Sequence, residues 1–600
     1  MQYRRSTWAL GLATALLAAA CSGSAGDDPT TSSATTSTTT RSSSTTTQAA
    51  AVAHRFDYSD GPIVWFQPLP PLADPSLPFA DGSEDYYDLF PADASWMTAA
   101  DRIQVFGIYA TYVRHYATDD QLRALIAGVQ SRGMLLAMEV GPLPGPESDE
   151  DCIGAEGYGG VYEIELMQHI MDLGGTVDVI AFDEPYAFGH KADGPSDCQR
   201  PIERIAGEAA DFTRMARELN PNVIVGGIEP MWAQPRIGAE DMAAWMDAYR
   251  EAAGEPLGFL HLDSDWNRPD WAQVLYDVER EADVRGVPVG VIYLGGDDAR
   301  SDAVWTQRAA ERMFDYEQVI GGSPDDVVLQ SWNDSPDHAL PDTDPSTFTG
   351  LVNRYFGART VIDVASLDSP SPGTLSATGT LAAVDGDPVA DAALVIEGLP
   401  LDGQQQVQAA SGEVPAEAET AVIIVRINSE GAGPGPADIH LYHVSYTEGG
   451  GANLSPDPSF ADGGWTPYGA GEGIFAENDD GRMLQLTATA EQDLFVDSQV
   501  FEVTPGARFD FSTTDSVSED SIGSGFIAVA FFGADGLEIS RSIMPLEPVS
   551  GPLGTGTTDT AGNLVVDLAG VEAGRYRLRV SYPGDLTHWP AYFDGEVDVG

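Results

Sequence analysis

Acidic residues stand at the ends of several apolar segments in the first half of this chain. In VIAFDEPYAFGH, residues 179–190, four apolar residues run directly into Asp183 and Glu184. Three other apolar segments end in the same way, on Glu139, Glu229 and Asp263. Such acids either cap the turn or helix that follows, or supply carboxylates for acid–base catalysis. Because several separate segments end on acids, catalysis is a better explanation than solubility alone.

Hydrolysis of a glycosidic bond needs carboxylates arranged in this manner. One carboxylic acid protonates the leaving oxygen, while a second carboxylate attacks the anomeric carbon or activates water. Adjacent acids suit the proton donor, because burial and a neighbouring like charge raise the pKa of one of them. Asp183 and Glu184 are therefore candidates for the proton donor, and the other strand-end acids are candidates for the second carboxylate.

Other polar and aromatic residues near the same segment ends are predicted to bind the substrate. They are Asp183, Glu139, His261, Asp265, Tyr293, Trp332, Tyr186 and Trp266. Aromatic faces of this kind can stack on sugar rings. Structural roles stay open for several of these residues. His261 can be a buried structural histidine, Asp263 and Asp265 can bind Ca²⁺ or brace a loop, and Glu229 can pair with an arginine.

Residues 56–360 alternate short apolar segments with amphipathic helical ones. The predicted strands lie within 62–69, 103–113, 134–143, 177–185, 223–231, 257–266, 287–296 and 327–334. Eight βα repeats of this length predict a (β/α)₈ TIM barrel, an α/β fold, rather than an open doubly wound sheet. No glycine-rich dinucleotide fingerprint follows the first strand. In such a barrel the acids would share the C-terminal rim, where active sites lie.

Beyond residue 360 helical periodicity disappears, and short alternating segments such as TAVIIVRI and RYRLRVSY follow. This composition predicts one or two β-sandwiches. We place them at 361–448 and 449–600, divided near YTEGGGANL. The stretch NLSPDPSFADGGWTPYG resembles the opening of jelly-roll carbohydrate-binding modules. The resemblance implies sugar binding by the last domain, although such modules can also be spacers.

The FDEP of the fourth segment resembles the NEP of the retaining glycoside hydrolase superfamily. The tryptophan of QSW resembles the tryptophan of that superfamily's eighth strand. The resemblance implies that Glu184 is the acid/base and that Trp332 forms a substrate platform. Two departures matter: Asp183 replaces the asparagine, and the seventh segment, GVIYLGGDD, lacks the nucleophilic glutamate. The second carboxylate must then come from elsewhere, with Glu229 or Asp263 as the best candidates.

The N-terminus predicts export. Residues 1–21 combine Arg4 and Arg5 with an apolar run and small residues before Cys21, which is typical of a bacterial signal peptide with a lipobox. We predict a lipid on Cys21, with ordinary cleavage and free secretion as the alternative. Residues 22–55 form a Ser/Thr-rich linker. In an oxidising compartment Cys152 and Cys198 are predicted to form a disulfide.

The composition of the chain limits the classes of molecule that it is expected to bind. The formal net charge of −63, with Lys191 as the single lysine, excludes the basic surface that nucleic-acid binding needs. No cofactor and no metal centre are predicted, apart from a structural Ca²⁺ that a β-sandwich could hold. We therefore expect a glycoside hydrolase at a bacterial cell surface, acting on a carbohydrate polymer. The alternative is a non-catalytic polysaccharide-binding lipoprotein on a barrel scaffold.

Overall fold

The computed structural model describes residues 55–71, 82–144, 157–192 and 198–600. Within the last range it omits 234, 267, 269, 297–298, 300, 334, 402–404, 429–434, 462, 479–480, 519–520, 522–523, 535 and 548–549. The described chain divides into two compact units. One contains the chain up to Ala358 together with Gly584–Pro590, and the other contains Arg359–Pro583 and Ala591–Gly600.

The first unit is a closed barrel of eight parallel strands in the order of the sequence. They are β1 (Ile63–Gln67), β2 (Val105–Tyr109), β3 (Leu135–Val140), β4 (Val179–Asp183), β5 (Ile224–Met231), β6 (Leu260–Ser264), β7 (Val289–Tyr293) and β8 (Asp326–Gln330). The predicted TIM barrel is confirmed. One predicted strand is too long, because Ala110–His115 forms a helix that buries Tyr112 and Val113 instead of extending β2.

Helices cover the outside of the barrel. They are α1 (Met97–Ala100), α2 (Ala110–His115), α3 (Asp119–Ser131), α4 (Val161–Asp172), α5 (Ile202–Leu219), α6 (Ala239–Ala253), α7 (Trp271–Arg285), α8 (Asp302–Met313) and α9 (Phe348–Tyr355). Shorter 3₁₀ or π-helical turns lie at Tyr86–Leu89, Ala187–Lys191 and Phe314–Ile320. Thr118 begins α3 with a capping box, in which its side chain accepts from the Gln121 backbone N–H. No helix of the described chain is long and apolar enough to cross a membrane.

Alternate residues of each barrel strand face the lumen. Near the N-terminal ends of the strands, Trp65 packs with its ring centre 5.0 Å from that of Phe259 and 4.5 Å from that of His261. Glycines leave the space for these large rings, since a Cβ atom at Gly226 would lie 2.4 Å from Phe259 and one at Gly290 would lie 2.4 Å from His261. These rings pack as one layer in the lower lumen.

The second unit contains antiparallel sheets. Its strands are β9 (Thr360–Asp368), β10 (Thr374–Ala383), β11 (Ala393–Pro400), β12 (Gln406–Glu413), β13 (Thr420–Ile427), β14 (Ala437–Glu448), β15 (Trp465–Gly469), β16 (Glu472–Asn478), β17 (Gly481–Ala488), β18 (Leu494–Ser498), β19 (Phe501–Glu502), β20 (Arg508–Val517), β21 (Gly525–Phe532), β22 (Glu538–Pro545), β23 (Gly551–Thr558), β24 (Asn563–Ala569), β25 (Gly574–Tyr582) and β26 (Ala591–Val599). The predicted all-β region is confirmed.

One β-structure of this unit is inserted into the other. A seven-stranded sheet runs in the order β26-β25-β11-β23-β24-β10-β9, so it combines strands from both ends of the region. Strands β12 to β22 lie between β11 and β23 and build a five-stranded and a six-stranded sheet. The predicted division at residue 448 instead falls inside the insertion, because β14 pairs with both β17 and β20.

The inserted sandwich has its own apolar core. Val425, Val529, Phe511 and Leu484 come from both of its sheets and are essentially inaccessible to solvent. β20 alternates buried apolar and exposed polar residues at its start, as a strand with one buried face requires. β21 is instead apolar throughout, because Phe526, Ala528 and Ala530 on its other face belong to a second buried apolar cluster. This core explains why the insertion can sit between two paired strands of another sheet without sharing that sheet.

Candidate active site

The C-terminal end of the barrel lumen holds a hydrogen-bonded polar group. The Gln67 amide donates to Glu139 Oε2 at 2.9 Å, and the Gln330 amide donates to the same oxygen at 2.7 Å. The Tyr109 hydroxyl, at the end of β2, donates to the Ser331 carbonyl at 3.0 Å. Four strand ends thus meet around the Glu139 carboxylate, whose charge is stabilised by the two amide donors.

Two further acids face the same lumen. Phe182 packs outward on Phe212 of α5, so the next residue of β4, Asp183, lies on the lumen side. Asp263 follows the lumen residue His261 by two positions on β6 and is buried, with 8% of its surface exposed. Together with Glu139, these residues bring acids from three strands to one end of the barrel, as the sequence predicted.

Glu184 lies immediately after β4 and has an unusual backbone. Its φ is +49°, in the left-handed region that residues other than glycine rarely adopt. The Glu184 N–H still donates to the Ile228 carbonyl of β5 at 3.1 Å, and the residue is 7% exposed. Such a conformation costs about 1–3 kcal/mol, and residues that bear this cost cluster at functional sites.

Glu229 has a different environment from the lumen acids. It is inaccessible to solvent, and its two oxygens accept the backbone N–H groups of Tyr186 at 2.8 Å and Ala187 at 3.0 Å. Burial raises the pKa of Glu229 to about 8, against two backbone hydrogen bonds that lower it. With both oxygens engaged, Glu229 anchors the turn that follows Glu184. This geometry favours a structural role over the predicted catalytic one.

His261 lies below the candidate site. Its Nε2 is 2.9 Å from Asp326 Oδ2, and both side chains are almost wholly buried in the lower lumen. The ring also packs against Phe259, with the ring centres 4.4 Å apart. These buried contacts agree with the structural alternative for His261. Its substrate-binding role stays a prediction.

Two predicted tyrosines point into the helical layer instead of the lumen. The Tyr293 hydroxyl donates to Glu317 at 3.1 Å, in the turn that follows α8. The Tyr186 hydroxyl donates to Asp241 of α6 at 2.9 Å, and Lys191 contacts the same oxygen at 2.7 Å. Both rings are buried. Both hydroxyls are thus engaged by carboxylates of the helical layer. The substrate-binding roles predicted for Tyr186 and Tyr293 stay predictions.

The remaining predicted residues lie on the loops after β6 and β8. Trp266 is partly exposed, and its ring lies 4.5 Å below the Arg312 guanidinium and 4.7 Å from the Trp271 ring. Asp265 and Trp332 are also partly exposed. Their substrate-binding roles stay predictions. Three residues of the site are absent from the predicted set: Gln67, Tyr109 and Gln330, which are the last residues of β1, β2 and β8.

The loops after β3 and β4 contact each other beside Glu184. A Cβ atom at Gly157, whose φ is +85°, would lie 3.1 Å from the Asp183 carbonyl and 3.1 Å from Pro185 Cα. Tyr158 lies 5.2 Å from the buried Arg200 guanidinium, which stacks on its ring. Cys152 lies outside the described residues, so its disulfide with Cys198 stays a prediction.

Glu163, at the start of α4, ties this region to α2. Its carboxylate is 2.6 Å from Arg114, and burial raises the pKa of Glu163 to about 7 even beside that cation.

Within the described ranges, no group of three or more His, Cys, Asp or Glu side chains is arranged to hold a metal ion. The polar groups that the described site contains are carboxylates, amides and a tyrosine.

Comparisons with known proteins do not assign the chain to a family. No protein-family model and no curated protein matches the sequence. Among solved structures, the chain is similar to an α-L-arabinofuranosidase from Thermotoga maritima, at 11% identity and a TM-score of 0.30, covering 76% of this chain and 96% of that one.

Two further solved structures are similar over the barrel half. One is xylanase 10B from Thermotoga maritima, with 12% identity, a TM-score of 0.27, and 41% and 80% coverage of this chain and that one. The other is the YdjI aldolase from Escherichia coli K12, with 12% identity, a TM-score of 0.26, and 45% and 75% coverage. Scores this low, spread over different activities, carry no functional argument.

Proposed function

We propose that the chain is a glycoside hydrolase that acts on a polysaccharide or oligosaccharide through carboxylate acid/base catalysis. The observation that supports this most directly is Glu184, held at a φ of +49° beside the lumen acids. A strand that continued normally would turn Glu184 away from the face that carries Asp183. The left-handed residue changes that path at the position where the superfamily resemblance puts the acid/base.

The partner carboxylate is proposed to come from the lumen. Glu139 and Asp263 both face the C-terminal end of the barrel, whereas both oxygens of Glu229 accept backbone hydrogen bonds. Glu139 is held by Gln67 and Gln330, and such fixed donors suit a carboxylate that must stay charged. The proposal therefore keeps Asp263 as a candidate and adds Glu139 in place of Glu229.

Substitutions on activated and natural substrates test these roles. Glu184→Gln should lose at least 100-fold in kcat/KM on unactivated glycans but much less on nitrophenyl glycosides, because a good leaving group needs no proton. A variant of the partner carboxylate, Glu139→Gln or Asp263→Asn, should lose activity on both. The exposed Glu165→Gln of α4 is the matched control. Wild-type rates in all three site variants would contradict the proposal.

A non-catalytic polysaccharide-binding protein is the second candidate. The sequence of β7, VGVIY, favours it because this strand contains no acid. The last residue of the strand, Tyr293, contacts the helical layer instead of the lumen. Asp297 and Asp298, in the loop that follows, lie outside the described residues. Parallel assays of binding and hydrolysis on one glycan panel separate the two functions. Binding without release of reducing ends, in a folded preparation, would favour the second.

We also propose secretion and attachment to a bacterial surface through a lipid on Cys21. The support is the sequence of residues 1–55, an export signal followed by a Ser/Thr-rich linker. Mass spectrometry of the mature N-terminus should find a diacylglyceryl cysteine, and Cys21→Ser should release the protein to the medium. An unmodified N-terminus in the wild-type protein would contradict the anchor.

A further inference from the structure

The inserted sandwich buries a carboxylate that no cationic side chain of its described residues contacts. Asp515 lies on β20 among the core-facing residues Phe511, Thr513 and Val517, and none of its surface is exposed. Within the described part of the chain, no Arg, Lys or His contributes to its electrostatic environment. Buried charges in proteins are normally paired or bound to a metal ion. Asp515 therefore needs an explanation that the core does not supply.

Two glutamines meet this carboxylate on one side. The side-chain nitrogens of Gln406 and Gln408, both on β12, lie 2.9 Å and 3.1 Å from Asp515 Oδ2. The same nitrogens lie 2.7 Å and 3.2 Å from the Glu547 carbonyl, which follows β22 in the facing sheet. Among the residues that the structure describes, the buried Asp515 Oδ1 has no hydrogen-bond partner. The group thus bridges the two sheets and leaves one carboxylate oxygen unsatisfied.

The hydrogen bonds from the two glutamines do not satisfy the whole Asp515 carboxylate. A buried acceptor without a donor costs about 1–3 kcal/mol, and more when it is charged. Accordingly, burial raises the pKa of Asp515 to about 6 despite the two amides. Three polar residues at core-facing positions are a costly arrangement unless something else occupies the group.

Rotation of the two amides converts the group into an oxygen cluster. A half-turn about the last side-chain bond puts Oε1 of Gln406 and Gln408 where their nitrogens now lie. Those positions are 2.7–3.2 Å from Asp515 Oδ2 and from the Glu547 carbonyl. Oxygens that share one Ca²⁺ at about 2.3–2.6 Å have neighbours at similar distances. The cluster then offers both Asp515 oxygens, two amide oxygens and one backbone carbonyl.

We propose that Asp515, Gln406, Gln408 and the Glu547 carbonyl form a Ca²⁺ site that joins the two sheets of the inserted sandwich. All five ligand atoms are oxygens, which Ca²⁺ prefers, and water can complete the six to eight positions. One carboxylate among neutral ligands indicates weak binding, in the range of about 10⁻⁴–10⁻³ M that extracellular modules show. Mg²⁺ is a poorer fit because it demands near-octahedral geometry at about 2.0–2.1 Å.

Hydrogen–deuterium exchange on the full chain tests the site locally. Millimolar Ca²⁺, compared with EDTA, should slow exchange at least several-fold in peptides that cover β12 and β20. It should also raise the temperature at which these strands lose protection. Mg²⁺ should do less. Exchange must be measured peptide by peptide, because the chain has 93 acidic residues, which will bind Ca²⁺ weakly over the whole surface.

Variants separate this site from nonspecific binding. Asp515→Asn should abolish the Ca²⁺ effect in β12 and β20, whereas Asp510→Asn, exposed on the same strand, should keep it. Gln408→Glu adds a second carboxylate and should bind Ca²⁺ at least 10-fold more tightly. If Asp515→Asn does not fold, the Gln408→Glu variant still tests the site through this gain in affinity. No Ca²⁺ protection in the wild-type protein, or equal protection in Asp515→Asn, would overturn the proposal.

Discussion

At the scale of single residues, the candidate site depends on how Glu139 is held. Its Oε2 accepts one amide from β1 and one from β8, so the barrel must close correctly for the carboxylate to be positioned. Hydrogen bonds from fixed amides orient a carboxylate without adding charge. Glu139, Gln67 and Gln330 therefore act as one unit rather than as three separate contacts.

Gln330→Met should lower kcat/KM by about 10- to 100-fold with little change in Tm, because it removes one donor to Glu139 but keeps the side chain's volume. Steady-state kinetics on the best glycan substrate, with thermal unfolding in parallel, measure both effects. Gln273→Met, exposed on α7, is the control. Unchanged kinetics in Gln330→Met would show that the Gln330–Glu139 bond has no catalytic value.

The second prediction at this scale concerns Glu229 and pH. Because burial raises the pKa of Glu229 to about 8 from an ordinary 4.5, the folded protein holds this proton more tightly than the unfolded chain does. The stability that the proton contributes is full below about pH 4.5 and is lost as the pH rises through about 8. Gln resembles the protonated acid, so Glu229→Gln should flatten this decline.

Thermal unfolding between about pH 5 and pH 9 checks the expectation, with the exposed Glu218→Gln of α5 as control. A structural Glu229 predicts a changed pH profile of Tm and near-normal activity in Glu229→Gln. Loss of activity with an unaltered Tm profile would instead restore the catalytic role that the sequence suggested.

At the scale of elements, the loop after β3 supports the turn after β4. Gly157 packs against the backbone on both sides of Glu184, and its φ of +85° already requires glycine. Glu163 lies against the same loop, since a Cβ atom at Gly159 would be 2.4 Å from its side chain, and its carboxylate pairs with Arg114 of α2. The position of Glu184 is thus decided by a neighbouring loop as well as by its own strand.

Gly157→Ala should reduce kcat/KM by at least 10-fold, because the added Cβ lies 3.1 Å from the Asp183 carbonyl and displaces the backbone at Glu184. Gly133→Ala is a matched control: its φ is +71°, but a Cβ there meets nothing within 4 Å. Both variants pay a similar backbone cost, about 1 kcal/mol. Equal losses of activity would show that the contact does not matter.

At the scale of the whole molecule, the C-terminal region is a nested arrangement. β11 and β23 pair directly, with Gly398 opposite Gly551, although about 150 residues separate them. The inserted sandwich begins and ends at this one point. An insertion at a paired strand end disturbs the host sheet little, because its two ends are already close together.

Removal of residues 401–550 and closure of β11 to β23 by a short turn should leave a soluble protein in which the barrel keeps its fold and activity. Circular dichroism, thermal unfolding and glycan hydrolysis measure this. Truncation after residue 448 should aggregate, since it removes the partners of β14 and β11. The same behaviour in both shortened proteins would contradict the nested topology.

The sequence by itself determined the barrel, its eight strand positions and the acids at the strand ends. Those features are local: apolar runs, helix starts such as Thr118, and polar residues that end a strand all act within a few residues. Asp183, Glu184 and Asp263 were found in this way. The all-β character beyond residue 360 was predictable for the same reason.

The tertiary structure alone decided which of these residues share one surface. Tyr293, Glu229 and Glu139 all lie at or near the C-terminal ends of their strands. Tyr293 nevertheless contacts the helical layer, and Glu229 binds the backbone of a turn. Neighbouring strands, brought together by closure of the barrel, made Gln67 and Gln330 the partners of Glu139. The nesting of β12 to β22 likewise depends on long-range pairing. Contacts between residues far apart in the chain have no local signal, so only the folded molecule shows them.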